Sequence, residues 1–276
     1  MPIEEGRLRR VSSRQNALVK ELRQAFQRGE CTPEGYCAIE SVRLIEEAIR
    51  SGLRFRAVFF SESGKGRSAR LLPQISSHAE TVILPDDVFQ GAVATDSPQG
   101  VAALVRVKEY DLESLLSMPH AWLLVAAGVQ DPGNLGTMIR SAEAFGATAV
   151  LLAEGSVSPF NPKVVRASAG SLFRLPVARI ELESAIEALR SHSVKLVATS
   201  SHKGTPLDQA DLRSPIAVFV GNEGAGLPRT IVQQMDDTIV VPHSERVESL
   251  NAGIAASLVL YEANRQRRAI KNPRDS

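Results

Sequence analysis

Cysteine is nearly absent from this 276-residue chain: Cys31 and Cys37 are the only two. Two thiols with no histidine cluster nearby suggest neither a zinc site nor a disulfide framework. The five histidines, His78, His120, His192, His202 and His243, show no metal-ligand spacing, so no metal is expected in the mechanism. No apolar run approaches the roughly 18 residues of a membrane span. The opening Met1-Pro2-Ile3-Glu4-Glu5-Gly6-Arg7 also lacks the apolar stretch of a secretion signal. A cytoplasmic protein without membrane contact is expected. Excess charge is missing too: 32 Lys and Arg against 31 Asp and Glu give a net charge of +1, and the total demands no anionic partner. Internal repeats and low-complexity tracts are absent. So is the phosphate-binding pattern G-x-x-x-x-G-K-[ST].

With 43% hydrophobic and 23% charged residues, the chain can form two domains, each with its own core. Its basic residues are clustered. Arg7, Arg9, Arg10, Arg14, Lys20, Arg23 and Arg28 crowd the start, Lys65, Arg67 and Arg70 share a turn, and Arg265, Arg267, Arg268, Lys271 and Arg274 close the chain. Such clusters suit phosphate contacts, although solvated helix faces look the same. Residues 1–107 mix helical stretches such as Ser41 to Ser51 with strand-like runs at Phe55 to Phe60, Thr81 to Leu84 and Val101 to Val107. This reads as a small α/β domain. Residues 108–119 read as a linker, 120–268 as a second α/β domain and 269–276 as a basic tail. In the second domain, apolar runs at Trp122 to Ala127, Ala149 to Leu152, Val194 to Ala198, Ile216 to Val220 and Thr238 to Val241 alternate with helical segments. That pattern describes a mostly parallel sheet covered on both faces, whose ligands bind beyond the carboxyl ends of the strands.

Three segments follow such strands. In the first, Pro132 and Gly133 make a turn, Asn134 is placed to cap a helix, and Leu135, Met138, Ile139, Ala142 and Phe145 form its apolar stripe. Arg140 lies on an adjacent stripe with Gly136 and Ala144, suited either to bidentate phosphate binding or to snorkelling into solvent. In the second, Gly221-Asn222-Glu223-Gly224-Ala225-Gly226-Leu227 lets backbone approach a ligand. Its G-x-x-G-x-G spacing is not the dinucleotide fingerprint G-x-G-x-x-G, and Pro228 fits the first position of a following helix. The carboxylate of Glu223 would repel a polyphosphate and suits a cationic ligand or a basic side chain. In the third, Val247 to Leu258, the polar Glu248, Ser249 and Asn251 precede a helical apolar pattern of Leu250, Ile254, Leu258 and Tyr261. Ser249 and Asn251 are expected in the first turn, with Ser249 or Glu248 as a plausible N-cap.

Taken in order, Asp131-Pro132-Gly133-Asn134-Leu135-Gly136 with Arg140, Gly221 to Leu227, and Val241-Pro242 followed by Val247-Glu248-Ser249-Leu250-Asn251 resemble the three motifs of the SpoU (TrmH-like) RNA 2′-O-ribose methyltransferases. Asn161 to Pro176 is also similar to that family. In the first half, Arg10 to Lys20, Glu40 to Ala48 and Thr95 to Gly100 resemble the L30e-like RNA-binding domain often fused to it. The resemblance implies a SPOUT-type α/β domain with a deep trefoil knot, pairing of two subunits through the knot region, and S-adenosylmethionine as methyl donor. It assigns cofactor contacts to Thr199, Gly221, Gly224, Val241 and Leu250. It places Asn134, Arg140, Glu223, Ser249 and Asn251 around the reacting 2′-hydroxyl, and RNA contacts at Arg10, Arg14, Lys20 and Arg166. A guanidinium stays protonated in proteins, so Arg140 reads as an electrostatic stabiliser of the developing alkoxide rather than as the base. Ribosomal RNA is the first expected substrate and transfer RNA the second.

The chain departs from the family pattern in three places. His243-Ser244-Glu245-Arg246 replace the usual Met-x-Gly-x, Ala252-Gly253 replace Val-Ser, and Ser41 stands where a glycine is usual. These changes touch loop shape and RNA fit more than reaction type, with His243 a candidate contact to cofactor or RNA. Two rival readings are a non-catalytic RNA-binding or ribosome-assembly protein on the same fold, and a nucleotide-dependent oxidoreductase.

Overall fold

The structure is a computed structural model and describes residues 8–68, 71–75, 77–118 and 121–271. Arg7, Arg70, His120 and residues 272–276 of the basic tail lie outside the described residues. In chain order the first half runs β1 (Leu8–Arg10), α1 (Ala17–Arg28), β2 (Tyr36–Glu40), α2 (Val42–Arg50), β3 (Arg54–Ser61), α3 (Lys65–Ser68), β4 (Glu80–Leu84), α4 (Asp86–Gln90) and β5 (Val101–Arg106). The rest runs α5 (Leu112–Leu116), β6 (Trp122–Ala126), α6 (Pro132–Ala144), β7 (Ala149–Leu152), α7 (Pro162–Ala167), β8 (Val177–Arg179), α8 (Leu182–Ser191), β9 (Lys195–Ser200), β10 (Thr205–Pro206), β11 (Ile216–Val220), α9 (Arg229–Val232), β12 (Asp237–Val240) and α10 (Ala252–Lys271). Among the described residues, no helix is long and apolar enough to cross a membrane.

The chain forms two compact units: residues 1–108 with 158–173, and residues 109–157 with 174–276. The excursion that carries α7 belongs to the first unit. There, Gly170 allows close approach: a Cβ at this position would stand 2.8 Å from the Glu47 Cβ. The first unit's sheet has the order β1-β4-β3-β5-β2, parallel across β1, β4 and β3 and antiparallel across β3, β5 and β2. Leu18, Leu22 and Phe26 of α1 pack with Phe59, Val82, Phe89 and Leu104 in its core. Ser41, at the start of α2, adopts φ 99°, a backbone region that favours glycine. Its hydroxyl nonetheless accepts from the Leu44 N–H at 3.3 Å.

The second unit's sheet is parallel throughout, in the order β10-β12-β9-β11-β6-β7-β8. Every residue of β6, β7 and β11 is buried, as expected for parallel strands covered on both faces. Leu123, Val125, Leu151, Leu196 and Phe219 face α5 and α8. Trp122 alternates to the opposite face, where Arg267 of α10 stacks over its ring at 5.3 Å. From β6 the chain steps outward through β7 to β8, and later returns to insert β11 between β9 and β6. At this reversal of winding, the loops that leave β6 and β11 emerge side by side.

The apolar runs of the sequence became β3 to β7, β9, β11 and β12, but β1, β2, β8 and β10 gave no usable pattern. Three of these four have only two or three residues, and β1 is Leu-Arg-Arg. The final helix differs more. Ile254, Leu258 and Tyr261 are exposed, whereas Gly253, Ala256, Val259, Leu260 and Ala263 form the buried stripe. The small residues bring α10 against α6, with Ser141 and Ser257 hydroxyls 2.7 Å apart and Phe145 edge-on to Tyr261. Because 134, 141 and 145 meet 253, 257 and 261 in the same order, the two helices run parallel.

Candidate functional site

Pro132 lacks an N–H and has its φ preset, so it takes the first position of α6 and the cap falls on Asp131. The Asp131 carboxylate accepts from the Asn134 N–H at 2.7 Å. Asn134 is therefore not the cap; it sits inside the first turn, buried, with its amide free to reach sideways. Its Nδ2 donates to Glu223 Oε1 at 2.9 Å, and its Oδ1 accepts from Asn251 Nδ2 at 2.7 Å. The backbone N–H groups of Gln130 and Asp131 also donate to Glu223, at 3.2 and 3.1 Å. Burial pushes the Glu223 carboxyl upward, but the bonds from Asn134 and from the backbone outweigh it, leaving the group below its ordinary value of 4.5.

The ionised carboxylate fixes every other member of this chain. It can only accept, so Asn134 must turn its NH2 toward Glu223 and its oxygen toward Asn251. Asn251 then directs its own oxygen to the Ile254 N–H at 3.1 Å, which makes it the N-cap of α10. Glu248 and Ser249 thus do not cap the helix, and Ser249 lies before it rather than in its first turn. Ser249 lines the cavity, and among the described residues its hydroxyl has no hydrogen-bond partner. Gly253 completes the junction: a Cβ there would meet the Asn134 Cα and O at 3.3 Å.

The loop after β11 is sewn to the loop after β6 by Asn222. Its Nδ2 donates to Gly128 O at 2.9 Å, and its Oδ1 accepts from the N–H groups of Gly224 and Ala225 at 2.9 and 3.1 Å. Gly221 has no alternative, because an added Cβ would lie 2.3 Å from the Gly226 carbonyl carbon. Gly224 is less constrained, with only Asn222 Oδ1 near its Cβ direction, at 3.6 Å. Pro228 immediately precedes α9 instead of opening it.

These loops enclose a cavity of about 460 Å³. Its lining combines apolar residues, among them Val220, Ile239, Val241, Leu250, Ala255 and Val259, with polar ones, among them Thr199, Glu223, Glu248, Ser249 and Asn251. Thr199, at the end of β9, donates through its hydroxyl to Phe219 O at 2.9 Å. All the residues expected to touch cofactor therefore meet in one place: Thr199, Gly221, Gly224, Val241 and Leu250. Arg140 stands apart. Six positions beyond Asn134, it lies about 9 Å farther along the helix, exposed and outside the cavity lining.

In the first unit, Arg10 and Arg14 form ion pairs with Glu62 and Asp87. Lys20 is half-buried on α1 and Arg166 is exposed on α7. Burial raises the Glu40 carboxyl above its ordinary value, with the Thr95 hydrogen bond and the charge of Arg166 acting in the opposite direction. Among the described residues, no group of three His, Cys, Asp or Glu side chains could hold a metal. Sequence reasoning missed Asp131, Asn222 and Ser156. The Ser156 hydroxyl accepts from the Gly128 and Val129 N–H groups at 3.0 and 3.2 Å. An Asn next to a glycine-rich turn was the available signal for Asn222.

Residues 121–261 match the SpoU rRNA Methylase family, and residues 16–103 match the MRM3-like substrate binding domain. The chain is 32% identical over 254 residues to the 23S rRNA (guanosine(2553)-2'-O)-methyltransferase RlmP of Bacillus subtilis, covering 92% of this chain and 98% of that protein. Among solved structures, it matches an AdoMet-bound rRNA methyltransferase from Sinorhizobium meliloti with a TM-score of 0.81 and 28% identity, over 94% of this chain and 98% of that one. It also matches the SpoU methyltransferase AviRb from Streptomyces viridochromogenes in complex with AdoMet, with a TM-score of 0.79 and 29% identity, over 92% and 99% of the two chains. With the fold, the three loops and their shared cavity in agreement, this chain belongs to the SpoU rRNA Methylase family.

Proposed function

We propose that the protein transfers a methyl group from S-adenosylmethionine to a ribose 2′-hydroxyl of ribosomal RNA. The observation that carries this reading is the Asn251–Asn134–Glu223 chain bordering a cavity lined by both apolar and acidic side chains. The apolar lining residues suit the adenine ring, and the ionised Glu223 suits the positive charge of the sulfonium and ammonium groups. The cofactor supplies an electrophilic methyl group when bound. The chain's own contribution is alignment and charge: fixed amide dipoles hold the ribose in line with the methyl, which is worth several kcal/mol on its own.

In this reading the SPOUT-type knot arises where Val241 to Asn251 crosses from β12 to α10. Two copies pair across the exposed faces of α6 and α10, where Ile254, Leu258 and Tyr261 are uncovered. Arg140, on an exposed face of α6, then acts across that pairing and stabilises the developing alkoxide of the neighbouring site. Residues 1–107 present the RNA together with the excursion at 158–173, with Arg10, Arg14 and Lys20 from the former and Arg166 from the latter contacting phosphate. The match of residues 16–103 to a substrate binding domain supports this division, and the ribosomal substrate of RlmP supports rRNA over tRNA and a cytoplasmic setting. The test is titration with S-adenosylmethionine together with mass-spectrometric mapping of 2′-O-methyl sites in RNA from cells lacking the gene. Loss of one ribosomal site is expected. An unchanged map with intact RNA binding would favour a non-catalytic role.

A further inference from the structure

His243 replaces a family methionine and lines the cofactor cavity half-buried. Its Nδ1 lies 2.7 Å from the Val241 carbonyl oxygen. A carbonyl only accepts, so Nδ1 must carry the hydrogen, and in the neutral ring Nε2 is left as a bare acceptor. The backbone therefore sets the tautomer, independently of any ligand. A second cavity is lined by Ser201, His202, Val241, His243 and Arg246, so His243 borders both. The imidazole is thus oriented by its bond to the Val241 carbonyl.

The chemistry of the main cavity indicates what Nε2 meets. Val241, two residues away and hydrogen-bonded to the ring through its carbonyl, lines the cavity together with Ile239, Leu250 and Val259, side chains of the kind that flank a flat base. Glu223 and Glu248, which also line the cavity, suit the charged part of the cofactor. An acceptor at the edge of a base site matches an exocyclic amino group and opposes a 6-oxo group, which can only accept as well. We propose that His243 is a specificity-determining residue whose Nε2 accepts a hydrogen bond from the 6-amino group of the cofactor's adenine. This rests on the S-adenosylmethionine reading of the cavity and adds a side-chain reader to it.

The experiment compares binding of 5′-methylthioadenosine and 5′-methylthioinosine to the full chain by calorimetry. These probes share the ribose and thioether and differ in the base edge. The wild-type protein is expected to prefer the adenosine by about a hundredfold, the scale of one mismatched buried hydrogen bond. Two variants separate the two nitrogens. His243→Asn keeps a donor for Val241 but has no atom at the Nε2 position, so the preference falls below about fivefold. His243→Gln loses the tie to Val241 but restores an acceptor near Nε2, so a preference of tenfold or more returns. Equal preference in the two variants, or wild-type preference in His243→Asn, overturns the assignment. If the wild-type protein binds neither S-adenosylmethionine nor either probe, the cofactor reading fails first.

Discussion

The two sheets of this protein have similar ingredients and different consequences. In the first unit, antiparallel pairing of β3, β5 and β2 alternates strand direction, so loops leave at both ends of the sheet. Several of its basic residues are paired nearby: Arg9 with Glu80, Arg10 with Glu62, Arg14 with Asp87 and Arg56 with Glu21. In the second unit every strand is parallel, so the loops after β6, β9, β11 and β12 all emerge at one edge. At that edge a carboxylate and two amides are shared between chain segments about 90 and 120 residues apart. Strand direction decides whether polar groups from distant segments collect or disperse. Ion pairs such as those of the first unit contribute little each, typically below about 1 kcal/mol when exposed, whereas the second unit's network fixes the orientation of the two amides and the carboxylate beside the cavity.

The comparison breaks most sharply at Gly221. A Gly221→Ala change drives its Cβ into the Gly226 backbone, and the loop must move. At least a hundredfold loss of S-adenosylmethionine affinity by calorimetry is expected, while the first unit's fold, monitored by hydrogen exchange, stays intact. Removal of the carboxylate comes next. Glu223→Ala frees the Asn134 amide and two loop N–H groups, and turnover on rRNA should fall about 10²-fold to 10³-fold, the scale seen when one preorganised polar group is lost.

The pH response of the same group has a fixed sign. The folded carboxyl of Glu223 lies below 4.5, so its contribution to stability is fully present above that value and is lost as pH falls through the folded value. Thermal melts of the wild-type protein and Glu223→Gln should therefore differ most near neutrality and converge in acid. A gap that widens in acid would reverse the assigned cause. The smallest effect belongs to the first unit. Ser41→Gly relieves a backbone at φ 99° and gives up only a 3.3 Å cap bond, so denaturant unfolding should show a gain of about 1 kcal/mol. Destabilisation by this change would mean that the cap outweighs the strain.

Much of the site was legible because its chemistry sits in short segments next to apolar strands. The parallel sheet followed from continuous apolar runs, and the glycine loop and the Ser249 to Asn251 segment were identified by position. Orientation was the harder part. Ile254, Leu258 and Tyr261 have helical spacing, but so does the buried stripe of Gly253, Ala256, Leu260 and Ala263. Periodicity does not reveal that small residues win when a helix must lie close to its neighbour. An Asn at a helix entrance usually serves as the cap, the role the sequence suggests for Asn134. Pro132 displaced that role to Asp131, and the freed amide became the centre of the network. Ser41 shows the reverse case: its departure from glycine was visible in the sequence, but its positive φ was not.

The central claim is that the parallel edge is organised for transfer by the Asn251–Asn134–Glu223 chain. The most direct measurement is single-turnover methyl transfer to rRNA by wild-type protein and by Asn134→Ala at saturating S-adenosylmethionine, with products mapped by mass spectrometry. One 2′-O-methylated nucleotide is expected with the wild-type protein, and a loss of about a hundredfold or more in rate with Asn134→Ala, with cofactor still bound. Transfer by Asn134→Ala at the wild-type rate would contradict it.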